Sequence, residues 1–435
     1  MAEQGMQFFT ACQRQHGDLF AVQLGNDLLT IVAHPELARH VLRDRRDNYD
    51  TKGPGTGFQS SLIPLLQDSF ATRTGGDEEW VRQRKLVTRR FTPAAVRSAA
   101  RATQQVIDRV LDRWEVFADE GQSIDLAKEA PRLALAVVAA TTLGVDVSLI
   151  QADDLIDAFQ DVVDYLWEAI WRASEPAASP PSWLPGPGSI RYRKAIDTIN
   201  RVVDEICASS YAADEGLVSL LRTLRATGQI SEQNSRLLAI TNLTAGYESM
   251  AASLTFLLHY LCNSPEQLRI VEDSLMLRLF EPPHECTETS KLTRAAVKET
   301  LRMASPIFWI QRQATRSDVL GGYAIPAQSL VVVFTHLIHH HELFWENPDH
   351  FDASRFLGEP QHPHAWLPFG DGERRCFAEE FAITQGSLFL TRILRRFAIH
   401  PVPQSGGCIH MSTNLRLVGR VPVQLVRRPV CPWEQ

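Results

Sequence analysis

The sequence predicts a mainly α-helical fold with small β-sheets, on three observations. Most long segments carry apolar residues at helical spacing, strand signals are few and short, and no linker, internal repeat or low-complexity tract divides the 435 residues. One domain over residues 1–435, large enough to enclose a ligand, is the expected organisation.

Helical spacing is clearest over residues 93–114, 231–262, 292–303 and 376–397. Residues 18–32 read as a hairpin through Gly25-Asn26-Asp27, and residues 329–334 as a short β-branched strand after the Gly321-Gly322 turn. Residues 176–188 hold five prolines and predict an irregular surface loop. Alternation over residues 414–427 suggests terminal strands.

Composition narrows the function classes. With 44% hydrophobic and 22% charged residues the chain reads as globular and soluble, and a net charge of −7 argues against nucleic acid as a partner. The seven cysteines are scattered and lack CxxC spacing, so neither a disulfide framework nor a zinc site is indicated and a reducing cytoplasm is expected. The longest apolar run, residues 133–145, is too short to span a bilayer, and the opening MAEQGMQFF lacks the layout of a signal peptide.

The most informative stretch is Leu367-Pro-Phe-Gly-Asp-Gly-Glu-Arg-Arg-Cys376. A lone cysteine follows a glycine-punctuated loop and precedes a helical stretch, where unpaired N–H groups favour a thiolate. Glycines let the backbone approach a flat partner, and Arg374 offers a fixed cation to an anionic group of that partner. Together these read as a haem pocket with an axial cysteinate. Here the chain resembles the cytochrome P450 family, whose Phe-x-x-Gly-x-Arg-x-Cys signature is met by Phe369, Gly372, Arg374 and Cys376.

Three further segments fall in the order the resemblance implies. Glu299 and Arg302 stand three apart on one helix face, and alone would read as an exposed ion pair of little worth. They precede Phe351-Asp-Ala-Ser-Arg355-Phe356, similar to the segment whose arginine joins that pair to brace the haem-binding core, so Arg355 is the candidate third member. Thr244-Ala245-Gly246-Tyr247-Glu248-Ser249 lies in a long helix, where an interior glycine costs stability and polar residues interrupt an apolar run. It resembles the oxygen-binding helix, with Ala245 and Gly246 making room over the haem and Glu248 and Ser249 relaying protons. Ser249 replaces the usual threonine, keeping the hydroxyl but losing the methyl that stiffens the rotamer. Trp80 and Arg84 are suitable donors for a carboxylate, and the resemblance assigns them, with Arg312 and Arg374, to the haem propionates.

The resemblance implies a monooxygenase that uses haem b, O2 and two electrons. Those electrons would come from NAD(P)H through separate proteins, a ferredoxin or flavodoxin-type donor with its reductase. By family position the substrate pocket is lined by Phe58, Leu62, Leu66, Ile307, Phe308, Trp309 and Thr413, an apolar and partly aromatic set suited to a terpenoid or an indole- or phenyl-bearing natural product. Oxidative ring closure is an alternative to hydroxylation, and a non-catalytic haem sensor or carrier is a second. Adjacent histidines 339–341 look like a metal tract, but such neighbours project in different directions. Arginines between residues 82 and 90 read as a solvated face, or with Arg375 as a positive surface for an acidic electron donor.

Overall fold

The computed structural model describes residues 2–24, 27–49, 65–73, 76–145, 152–174, 187–209, 216–276, 290–358, 362–403, 407–412 and 414–429. Its helices begin where the sequence supplies caps. Ser231 accepts from the Asn234 N–H at 3.1 Å and opens the 31-residue helix Glu232–Cys262. Thr92, followed by proline, opens Pro93–Asp119, and Ser290 opens Lys291–Met303. Helix Glu232–Cys262 is apolar on nearly every side because it runs through the interior. Helix Leu126–Val138 packs along it at Gly246, where an added Cβ would touch both methyls of Val138 at 3.4 Å.

A second set of contacts forms the floor on which the cysteine loop rests. Helix Glu379–Arg396 packs on Pro93–Asp119, with the Trp114 and Phe389 rings edge to face at 6.2 Å. It also packs on Lys291–Met303, where Gly386 lets Val297 approach to 3.2 Å of the missing Cβ. The helix starts at Glu379, three residues after the predicted start, so Cys376 stands ahead of it on a short turn. Helix Pro187–Ala208 begins inside the expected proline-rich loop, and residues 176–186 lie outside the described residues.

Four small sheets among the described residues complete the fold. The largest runs Leu19–Leu24, Asp27–Val32, Leu330–Val333, Ile310–Gln313, antiparallel except where Asp27–Val32 meets Leu330–Val333. Strand Leu330–Val333 is buried at all four positions, which is why it reads as a continuous aliphatic run. Strands Leu415–Val418 and Pro422–Arg427 fall within the predicted terminal alternation, the first paired with Cys408–Met411 and the second between Ser123–Asp125 and Phe397–Pro401. Among the described residues no helix is long and apolar enough to cross a membrane.

Candidate active site around Cys376

Two glycines shape the turn that presents the cysteine. Gly370 and Gly372 have φ of +69° and +70°, and a Cβ on Gly372 would lie 2.0 Å from the Leu42 carbonyl oxygen. The loop closes where the Cys376 N–H donates to the Phe369 carbonyl at 2.9 Å. Cys376 is accessible, but onto an internal cavity of about 490 Å³ rather than onto the outer surface. Burial pushes its thiol up; the Ala378 N–H and the Arg84 and Arg375 guanidiniums oppose this, and Glu379 adds to it. The thiolate expected from the helix terminus is therefore not secured by the protein alone, because burial, with Glu379 adding to it, outweighs the Ala378 N–H and the two guanidiniums.

The cavity gathers most of the residues singled out from the sequence. Ala245, Gly246, Glu248 and Ser249 line it from helix Glu232–Cys262; Phe369, Arg374 and Cys376 from the cysteine loop; Trp80 and Arg84 from helix Glu78–Thr88; and Arg312 from strand Ile310–Gln313. Leu66, Ile307 and Trp309 line it as well. Phe308 does not. It is fully buried in the core, its ring 5.5 Å from Trp309 and 5.8 Å from Phe334. Its neighbours Ile307 and Trp309 reach the cavity, while the Phe308 ring is taken up by the core around Phe334. Phe58, Leu62 and Thr413 lie outside the described residues.

The charged side chains of the lining are held by backbone and rings. Arg84 donates to the Arg375 carbonyl, and its guanidinium lies 5.4 Å from the Trp80 ring centre and 5.3 Å from that of Phe377. Arg374 donates to the Arg73 carbonyl at 2.6 Å and covers the Trp80 ring at 5.4 Å. Trp80 thus serves differently from the sequence reading: its N–H donates to the Phe70 carbonyl at 3.1 Å, and its ring lies against both arginines. Phe377 packs on Phe91, ring centres 4.9 Å apart. On the outside, Arg375 pairs with Glu379 at 2.6 Å and Arg82 with Glu79 at 2.7 Å, so neither is an unpaired cation.

Below the loop lies a buried ion network. Arg302 donates to both oxygens of Glu299, at 2.7 and 2.8 Å, and both side chains are 0% exposed. Arg355 joins through its Nε at 3.2 Å, and the Asp352 N–H donates to the same carboxylate at 3.0 Å. Arg302 also donates to the His339 carbonyl at 2.7 Å. The ring of His339 then accepts from the Leu367 N–H at 2.8 Å and so ties this network to the first residue of the cysteine loop. Sequence reasoning missed that link: the signal was the histidine tract, whose members go three ways. His340 lies against the ring of His336 at 4.0 Å, and His341 bonds Asp18 at 3.0 Å.

Opposite in character is the corner formed by Glu248. Its Oε2 accepts from Asn414 Nδ2 at 2.6 Å, a partner that sequence reasoning also missed. Burial raises its carboxyl to about 7, against the pull of Arg416 and of the Asn414 bond, with Asp164 adding to the rise. The Ser249 hydroxyl donates to the Ala245 carbonyl at 2.8 Å, within its own helix.

Comparison with known proteins agrees with this geometry. The Cytochrome P450 family model matches residues 2–426. This chain is a cytochrome P450. Among curated relatives, cyclooctat-9-en-7-ol 5-monooxygenase of Streptomyces melanosporofaciens is 28% identical over 91% of this chain and 85% of its own length. Pentalenene oxygenase of Streptomyces avermitilis is 27% identical over 96% of this chain and 93% of its own length. A crystal structure of the cytochrome P450DA haem domain superposes with a TM-score of 0.84 at 21% identity, covering 98% of this chain and 93% of that one, and so shares the fold.

The P450 family implies haem, and the donor set of this cavity fits it. One thiol faces an otherwise largely apolar chamber that three guanidiniums, Arg84, Arg312 and Arg374, also line. An iron porphyrin needs one soft axial ligand, apolar walls and cations for its carboxylates.

The raised carboxyl of Glu248 makes stability depend on pH in a stated direction. Below 4.5 the folded and unfolded chains both hold the proton. Between 4.5 and about 7 the unfolded chain releases it and the folded P450 does not, so stability falls as pH rises through that window. Glu248→Gln should therefore be more stable than the wild type at pH 8 by roughly 2–3 kcal/mol, the gain shrinking as pH drops towards 4.5. Urea denaturation across pH 5–8 checks this, and a constant difference would contradict it.

Proposed function

We propose that this P450 hydroxylates a small hydrophobic, terpenoid-type natural product of secondary metabolism. Electrons reach it from NAD(P)H through a separate reductase and a ferredoxin or flavodoxin-type donor, in the cytoplasm, and residues 1–435 act as one haem-enclosing domain. The observation that carries this reading is one cavity lined by the cysteine, three guanidiniums, the Glu248–Ser249 pair and a mostly apolar wall. The names of the two Streptomyces relatives, one acting on cyclooctat-9-en-7-ol and one on pentalenene, support the terpenoid class.

Cys376 would hold the haem, which when bound would supply the oxygen activation, and the chain's own groups supply the surroundings. Arg84, Arg312 and Arg374 would neutralise its carboxylates. Leu66, Ile307 and Trp309 hold an apolar substrate and exclude water. Glu248, with a carboxyl near 7, both keeps and releases a proton at neutral pH, as a relay must. Ser249 keeps its oxygen lone pairs for a proton passing through the cavity, its own hydrogen being donated to Ala245.

The test is turnover of the holoenzyme with cyclic terpene hydrocarbons and a surrogate ferredoxin system. Expected are substrate-dependent NADPH consumption and products bearing one added oxygen. Ser249→Ala should keep haem and substrate binding while diverting several-fold more of the electrons to peroxide. A product with a new ring and no added oxygen would replace hydroxylation by ring closure, and haem binding without any turnover would leave the sensor reading.

A further inference from the structure

Most hydroxyls of the cavity wall are already engaged within it, the buried Thr244 Oγ1 being an exception without a partner among the described residues. Four wall hydroxyls donate to carbonyls of their own helices: Thr241 to Leu237, Ser249 to Ala245, Ser253 to Ser249 and Thr300 to Ala296, at 2.7–2.8 Å. The corner of Glu248 and Asn414 differs. Their mutual bond joins Asn414 Nδ2 to Glu248 Oε2. The other two oxygens, Glu248 Oε1 and Asn414 Oδ1, have no protein partner among the described residues, and neither is a sealed, buried atom. Both residues line the cavity.

We propose that Glu248 Oε1 and Asn414 Oδ1 form a subsite for a hydroxyl already present on the substrate, so that this P450 acts on an apolar molecule carrying an alcohol. An alcohol, donor and acceptor at once, suits Asn414 Oδ1 together with Glu248 Oε1 in either protonation state; a ketone finds a donor there only while the carboxyl holds its proton, and a hydrocarbon has nothing to offer either oxygen. A hydroxyl fits better than an ammonium. Arg416 faces the same carboxyl while pairing with Asp164 at 2.6 Å, His410 lies near Arg416 on the partner strand of the hairpin, and Tyr247 is the neighbouring titratable group on the helix. A cation placed here would meet Arg416, and a carboxyl that is half neutral at pH 7 is a weak counter-ion for it. The two oxygens come from different elements, helix Glu232–Cys262 and the hairpin Cys408–Met411 with Leu415–Val418, so the subsite also fixes which end of the substrate faces the hairpin. The reaction that supplies the substrate must then be one that installs a hydroxyl, by an earlier oxygenation or by water capture of a carbocation.

This inference concerns the cavity of the monooxygenase reading and rests on it for the substrate's apolar frame. The test uses the holoenzyme with matched probes: cyclododecanol, cyclododecanone and cyclododecane, and the cyclooctane series. Binding is read by the spin-state shift and, independently, by the infrared carboxyl band that Glu248→Gln removes. The alcohols should bind about tenfold tighter than ketone or hydrocarbon and should shift the Glu248 band. Asn414→Leu and Glu248→Leu should each abolish most of that preference while still binding cyclododecane, which shows that the variants fold. Equal or absent responses to alcohol and ketone in both series, or a preference that survives in both variants, overturn the subsite. An alcohol preference without oxygenated product would leave the subsite standing and remove the turnover reading; oxygenated hydrocarbon without the preference would do the reverse.

Discussion

Glu299→Gln should cost about 3–5 kcal/mol of stability and much of the haem, although Glu299 is not among the residues lining the cavity. The reason is the position of Arg302. Its guanidinium is fully buried, and Glu299 is the carboxylate that receives it, Arg355 and the Asp352 N–H. A glutamine leaves one oxygen to accept and turns an N–H2 against one of those donors, so a buried charge loses its counter-charge. The damage should travel along Arg302 to the His339 carbonyl and from the His339 ring to Leu367, loosening the cysteine loop. Urea denaturation and the haem-to-protein ratio read the two effects. Glu205→Gln, which breaks an exposed pair with Arg201, is the matched control and should change stability by less than about 1 kcal/mol. A loss as small as that for Glu299→Gln would show that the network does not brace the core.

Cys376→His should do the opposite: spare the fold and end the chemistry. The backbone N–H of Cys376, bonded to the Phe369 carbonyl, survives the substitution, and the side chain points into the cavity. Denaturation of the haem-free chains should therefore agree within about 0.5 kcal/mol. In the reduced, carbon monoxide-bound holoprotein the Soret band that names the family should be present in the wild type and absent from the variant, with turnover abolished, because the sulfur's electron donation favours O–O cleavage. An unchanged band would place the axial ligand on another residue.

These two residues also show what a sequence discloses. Cys376 was legible because local chemistry announces it: two glycines that must take positive φ, an arginine and a cysteine lie within a few residues. The Glu299–Arg302 pair was legible as an order of motifs, but nothing in it said that the pair would be fully buried, since burial depends on Trp345, His339 and the loop around Arg355 folding over it. Phe308 was misassigned for a simple reason. Its neighbours Ile307 and Trp309 do line the cavity, and a run of three apolar residues does not say which of them the core will claim. The bonds of His339 to Leu367 and of Asn414 to Glu248 were invisible because the partners lie 28 and 166 positions away. The Trp80 N–H found a carbonyl ten residues back, which spacing alone does not reveal.

The parallel pairing of Asp27–Val32 with Leu330–Val333 governs when this enzyme can come into being. The first of these strands waits for a neighbour some 300 residues later in the chain, roughly 15–60 s on a ribosome. The Phe9 ring waits likewise for Phe334, 4.7 Å away in the finished chain. Cys376 emerges later still, after the helices of Trp80 and Glu248 have been made. The thiol can therefore join the cavity only after most of its wall has been made.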